Sequence, residues 1–355
     1  MDPATLLPTA DAIPVNWLWF QVLLTSTTFL HLVAMNIMLG SGFIAFVAPL
    51  AGGEQMQPLS RTVAGTMPYS IAFAINFGVA PLLFIQTLYG QFFYTSTVLM
   101  AVFWLAIFLL LIVSYYSVYL FNIRYDKTGH NPILLALPVI LLLLVGFIFT
   151  NNISLMQRPD SWVAYFQNRS GTILALDDIV LLPRYLHFML ASLSVGGLAI
   201  AVYYEFKQRR GAEGVERWIT YGCNWFSVSS LVNFMVGFWF LSKLYGTVIT
   251  PDDMAGKVFF TFVIGAILSI TIAVVSAQVQ KVYRAAAWVM ATIFLMTMAR
   301  EILRNTYLRD YVNLTELPVA SQYSPLFIFL VLLAGAIWLI YWMLKQVWSE
   351  LEVKS

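Results

Sequence analysis

Two of the three histidines in this chain, His31 and His187, lie inside long apolar runs, and that placement restricts what they can do. An ionisable ring at membrane depth is costly unless it coordinates a metal or pairs with another group, and haem iron is a natural partner for imidazole. A carboxylate and three guanidiniums accompany them. Glu301 closes a later apolar run in the segment Ala299-Arg300-Glu301-Ile302-Leu303-Arg304-Asn305, and Arg184 stands three residues before His187. A carboxylate can ligate ferric iron, and the guanidinium fork binds carboxylates such as haem propionates bidentately. The combination points to a membrane cytochrome, with His31, His187 and Glu301 as metal ligands and Arg184, Arg300 and Arg304 neutralising propionates.

Each residue also has a plainer reading. A histidine in a membrane helix can simply hydrogen-bond to a neighbouring helix. Arg300, Glu301 and Arg304 fall near a water interface, where a solvated ion-pair cluster or snorkelling is the default. His130 sits beside Lys127 in a loop, where solvation is the ordinary state. The 11 Trp, 18 Tyr and 27 Phe serve lipid and interface anchoring as well as porphyrin packing, and the 14 Met serve packing.

The elements that must position these groups are membrane helices. The chain has 355 residues, is 60% hydrophobic and only 10% charged, and has a mean hydropathy of +0.80. Its apolar runs are too long and too many for one soluble core. It reads as a single all-α polytopic membrane domain over 1–355 with about nine spans, near 17–50, 67–93, 97–123, 131–151, 182–206, 217–243, 256–280, 283–304 and 324–347. The first is long enough for a short surface helix leading into a span. Arg61, Arg124, Lys127, Lys207, Arg209, Arg210, Arg217, Lys281, Arg284, Lys345 and Lys354 share one side. Asp2, Asp11, Asp160, Asp177, Asp178, Asp252, Asp253, Asp310 and Glu316 share the other. The basic excess places the N-terminus outside and the C-terminus inside, which puts both histidines in the outer half of the membrane. The first basic residue is Arg61, so no cleaved signal peptide is expected. Cys223 stands alone and no C-x-x-C-H motif occurs, so any haem is not attached through thioethers and would be b-like or d-like. A net charge of +2 without blocks of like charge gives no footprint for nucleic acid.

Several short segments occur in a telling order. They are Trp19-Phe20-Gln21-Val22-Leu23-Leu24-Thr25 leading to His31 and Gly40, then Ile75-Asn76-Phe77-Gly78-Val79, Leu99-Met100-Ala101 and Met156-Gln157-Arg158-Pro159. Arg184-Tyr185-Leu186-His187 followed by Ala191-Ser192, and finally Glu301-Ile302-Leu303-Arg304, complete the set. Taken together it resembles subunit I of the cytochrome bd family of quinol oxidases, across all nine spans. The resemblance implies that His187 ligates a low-spin haem and that Glu301 and Arg304 stand for the family's Glu-x-Gly-Arg. The departures are equally specific. The family's long quinol-binding loop between the sixth and seventh helices is replaced by about 244–255, and its third-helix glutamates are missing between Leu99 and Ala106. Its seventh-helix methionine opposite the histidine falls near Ile264 or Gly265, in a span without methionine. Met235, in Asn233-Phe234-Met235-Val236-Gly237, mimics that motif one helix early and is the remaining candidate for a haem ligand.

These readings favour a haem b subunit of a respiratory electron-transfer complex in a prokaryotic inner membrane. It would carry two or three haems, with haem d as an alternative, and Glu301 at the reactive site. It would pass electrons between the quinone pool and haem or a periplasmic cytochrome or redox subunit, beside other membrane subunits. A bd-like quinol:oxygen oxidase subunit is the alternative within oxidoreductases. A haem-free transporter is the alternative of another class, although the inverted repeats and helices broken at mid-membrane that it would require are not seen.

Overall fold

The computed structural model describes residue 7 and residues 9–128 and 131–353; His130, Asp2 and Lys354 lie outside the described residues. Nine helices dominate it. They are α1 (Trp17–Gly52), α2 (Gln57–Leu99), α3 (Ala101–Thr128), α4 (Pro132–Met156), α5 (Leu181–Arg209), α6 (Glu216–Leu244), α7 (Met254–Gln278), α8 (Val282–Leu308) and α9 (Tyr323–Val353). All nine are long and apolar enough to cross a membrane. In hydrocarbon no water is available to satisfy backbone groups, so a helix, which pairs its own N–H and C=O groups, is the form such segments take. Caps fix several starts: Asn16 accepts from Leu18 N–H, Asn131 from Ile133 and Leu134, and Asp253 from Gly256.

The helices pack as sequence neighbours, α1 with α2, α3 with α4, α5 with α6 and α7 with α8, and α1 also runs along α5 at the centre. That central contact is backbone on backbone. A Cβ on Gly40 would fall 1.8 Å from the Ser192 carbonyl oxygen, and one on Gly196 would fall 2.3 Å from the Gly40 carbonyl carbon. Glycine at both positions is therefore what lets the two helices touch. One turn above, Ser192 Oγ donates to Asn36 Oδ1 at 2.7 Å across the same seam. The chain before α1 and the α8–α9 connection lie together at one end, since Ile13 N donates to Pro318 O at 2.8 Å and Ala320 N to Ile13 O at 2.9 Å. Helix α9 packs extensively against no other helix, and none of its spanning window is buried.

Several boundaries differ from the sequence reading, three of them in α1, α2 and α3. Helix α1 is one continuous rod of 36 residues with no separate surface helix, because its apolar run meets no breaker until Pro49, near its end. Helix α2 runs well beyond 67–93 at both ends, and Pro68 and Pro81 both lie inside it. Its non-helical residue is Tyr89 (φ −132°, ψ 32°), just before Gly90, so the chain bends there and not at a proline. Helix α3 starts four residues later than expected, after the break at Met100.

Candidate cofactor site beside the central helix pair

His31 precedes Gly40 by nine residues, and His187 precedes Gly196 by nine. At 1.5 Å and about 100° per residue, nine residues carry each ring about 13 to 14 Å along its helix and half a turn around it. The two rings therefore sit at one level, on faces turned away from the α1–α5 seam. The contacts agree. His31 turns to α2, where its Nδ1 lies 3.0 Å from the Ala74 carbonyl. A carbonyl can only accept, so Nδ1 carries the proton and Nε2 keeps its lone pair. The ring lies over Gly78, where an added Cβ would fall 2.9 Å from Cε1. His187 turns to α6 and lies over Gly237, where a Cβ would fall 3.3 Å from both Cε1 and Nδ1.

His187 lines a cavity of about 250 Å³ bounded by α1, α4, α5, α6, α7 and α8. Its walls are largely aromatic and aliphatic, with Phe226, Phe259, Val289 and Ile293 among them. Two guanidiniums break this apolar lining, Arg184 and Arg300. Arg184 is 3% exposed. It donates to Ser154 Oγ at 3.0 Å and lies 5.7 and 6.0 Å from the ring centres of Phe240 and Tyr307. The one carboxylate that acts on it is Asp178, from the α4–α5 connection. Arg300 has no hydrogen-bond or salt-bridge partner among the described residues.

Glu301, the carboxylate that acts on Arg300, does so only through space, because its Oε2 is committed elsewhere. Its Oε2 accepts from Arg304 at 2.6 Å and from Gln21 Nε2 at 2.9 Å, joining α8 to α1. Gln21 also donates to Thr25 Oγ1 at 3.3 Å. Arg304 lies 5.2 Å from the centre of the Tyr89 ring, and the Tyr89 hydroxyl donates to Asn305 Oδ1. Glu301 and Arg304 are only 4% and 3% exposed, so the expected solvated cluster is in fact a buried pair. Glu301 Oε1 is buried with no partner.

The structure thus groups Arg184, His187 and Arg300 around one cavity, and places Glu301 with Arg304 next to them along α8. It sets His31 apart, on the α2 side of α1. Met235 is 66% exposed on the outer surface of α6 and does not line the cavity, since it follows Asn233 by two positions and so points away from it. Ile264 is likewise 57% exposed. The methionines that do border the cavity are Met35 and Met296. Sequence reasoning also missed Asn233 and Gln157, polar side chains in the lining whose Oδ1 and Oε1 are buried and unpartnered. The only sequence signal for either was its place in a motif quoted for other residues.

A haem fits these groups by chemistry. Its iron requires an imidazole nitrogen free of other bonds, its apolar ring requires an aromatic wall, and its propionates require cations not already held in a salt bridge. The His187 ring, the phenylalanines and Arg300 with Arg184 meet those requirements in one place. For His187 the orphaned Nδ1 and the Gly237 cradle are features that a merely space-filling residue would not need.

No family model and no curated protein matches the sequence. Among solved structures, a chain of the bd oxidase from Geobacillus thermodenitrificans matches with a TM-score of 0.66 at 14% identity, covering 92% of this chain and 96% of that one. The fold is that of a bd oxidase chain. At this identity the likeness concerns the fold, a membrane bundle of the bd oxidase kind. The match extends over nearly all of both chains.

Proposed function

We propose that this chain is a haem b-binding membrane subunit of a respiratory electron-transfer complex in a prokaryotic inner membrane. The observation that carries the reading is Arg300. A guanidinium within an apolar membrane cavity, with no hydrogen-bonded or salt-bridged anion among the described residues and beside a second guanidinium, calls for an anionic ligand that also fits the imidazole of His187. A bound haem would supply one-electron redox chemistry, and the protein supplies position, ligand field and electrostatics.

His187 would present Nε2 to the iron, with Arg184 and Arg300 taking the propionates. His31 would present Nε2 to a second group on the α2 side, and the unpartnered Oε1 of Glu301 is the free ligand atom for a third or shared site. The aromatic lining excludes water and keeps the dielectric low, which strengthens each of these contacts. Electrons would pass between the quinone pool and haem or a periplasmic redox partner, in company with other membrane subunits. The bd oxidase fold of the solved neighbour supports a respiratory setting.

The deciding experiment is a reduced-minus-oxidised spectrum with pigment extraction on the purified protein. A Soret band with b-type haemochrome is expected, and absence of any Soret band removes the reading. The same preparation in an oxygen electrode with short-chain quinol separates electron transfer from oxygen reduction. Negligible uptake is expected, because α3 carries no carboxylate from Ala101 to Tyr125 through which protons could travel. Sustained uptake lost on Glu301→Ala would instead establish the oxidase alternative.

A further inference from the structure

His31 and His187 occupy the same kind of cradle. Each ring lies over a glycine of the adjoining helix, Gly78 or Gly237, and each Nδ1 faces the residue four positions earlier, Ala74 or Asn233. That position has a physical meaning. In a helix the carbonyl of residue i−4 already accepts from the N–H of residue i, and its second lone pair remains open to a side chain that a glycine lets come close.

The two cradles differ in one side chain. At Ala74 the backbone carbonyl is all the helix can offer. At Asn233 there is in addition an amide oxygen, Oδ1, which is buried without a hydrogen-bond partner. His187 Nδ1 is also buried without one. An orphaned acceptor and an orphaned ring nitrogen thus face each other from adjacent helices, at the edge of one cavity. Ser230, one turn before Asn233 on the same face of α6, donates to Ser194 Oγ at 3.2 Å and holds α6 in register against α5.

We infer that Asn233 is the positioning residue for His187: its side-chain oxygen accepts a hydrogen bond from Nδ1–H in addition to the backbone carbonyl, the only kind of acceptor His31 meets, which holds the Nε2 lone pair toward the cavity and makes this imidazole a stronger donor than that of His31. The inference rests on the haem reading only for its consequence, because the tautomer is a property of the protein itself. A second acceptor at Nδ1–H gives the ring more imidazolate character, which would favour ferric over ferrous iron and lower the midpoint potential of a bound haem. Asn233 touches no iron and acts through His187 alone.

The test uses the full-length protein with Asn233→Ala and Asn233→Asp. Asn233→Ala reproduces the cradle already present at His31, and Asn233→Asp keeps the size of the side chain. In redox titrations followed optically, the haem lost in His187→Ala should shift to a more positive midpoint in Asn233→Ala and to a more negative one in Asn233→Asp, while the other haem stays in place. Midpoints unchanged in both variants would overturn the inference. Selective 15N-histidine NMR of the haem-free protein reads the ring directly. A wild-type His187 protonated at Nδ1, whose ring shifts move in Asn233→Ala while those of His31 do not, is expected, and a wild-type ring protonated at Nε2 overturns the inference. Failure of the haem reading shows itself separately, as a haem content that His187→Ala does not change.

Discussion

His31 and His187 stand at one level of the bundle and on opposite sides of its central seam, each nine residues from the glycine at which α1 and α5 touch. The half-turn in that spacing keeps the rings from meeting over a single iron. A bis-histidine haem bridging the two helices is incompatible with this geometry, and two independent groups are what it favours.

Independence gives the first prediction. His31→Ala and His187→Ala should each remove one haem, and a different one, while the double variant removes both. Pyridine haemochrome assay per polypeptide, with difference spectra, reads this. Loss of both haems in either single variant, with the protein still folded, would mean one shared site.

The seam itself is the second. A methyl group at position 40 has no room, since its neighbour is backbone and not a flexible side chain. Gly40→Ala should lower stability by about 1–3 kcal/mol, typical of overpacking, with Gly196→Ala similar. Thermal unfolding in detergent, read by tryptophan fluorescence, would show the drop. A melting point equal to that of the wild type would mean the helices can separate freely.

The Glu301–Arg304 pair is the third. Removing one partner of a buried ion pair leaves the other charge uncompensated, at a cost of about 3–5 kcal/mol, whereas replacing both by apolar groups is often tolerated. Glu301→Leu alone should therefore be much less stable than Glu301→Leu combined with Arg304→Met. A double-mutant cycle on unfolding free energies measures it, and simple additivity of the two changes would show that the charges act separately.

Much of this could be read before the structure. Nine spans follow from apolar length alone, and the histidines announce themselves by being ionisable where little else is. The spacing from His31 to Gly40 is visible in the sequence, and so is its twin from His187 to Gly196, but nothing local says that the two glycines meet. Contact between residues 156 positions apart is a tertiary fact, as is the depth of Glu301. A run of Arg-Glu-x-x-Arg at the end of an apolar segment looks like a water interface until Gln21 and Tyr89 are seen closing over it. Met235 misled for a related reason. Its motif matched, yet whether a residue faces the cavity depends on the rotation of α6, which a uniformly apolar helix does not reveal.

Outside the membrane spans, the Arg158 guanidinium, which donates to Asp177 at 2.9 Å, holds the Asp177 carboxyl below the usual carboxylate range. A folded-state value lowered in this way stabilises the protein above the unfolded value of about 4 and loses that contribution as pH falls through the folded one. Asp177 is 67% exposed, so the effect is small, under about 1 kcal/mol. Asp177→Asn should slightly lower the melting temperature at pH 7 and leave it unchanged once both forms are protonated. An equal loss at pH 7 and pH 3 would assign the contribution to shape and not to charge.

Sidedness can be read chemically. Asp160→Cys, in the α4–α5 connection, should react with an impermeant maleimide from the periplasm, and Arg209→Cys, at the far end of α5, only from the cytoplasm. The reverse pattern would invert the topology and place the histidines in the inner half.

Helix α9 stands apart from all of this. The other eight helices fix one another's rotation, because each is packed against neighbouring helices. Nothing of the kind acts on α9, whose spanning window is unburied and which joins α8 through the connection after Leu308. Its insertion free energy, of order −0.3 to −0.6 kcal/mol for each Leu, Ile, Phe or Val near its centre, holds it at its depth but is indifferent to its azimuth. Depth and heading are thus decoupled in this one segment. It behaves as a float on a tether beside a rigid hull, and its final bearing is set by whatever surrounds it in the bilayer.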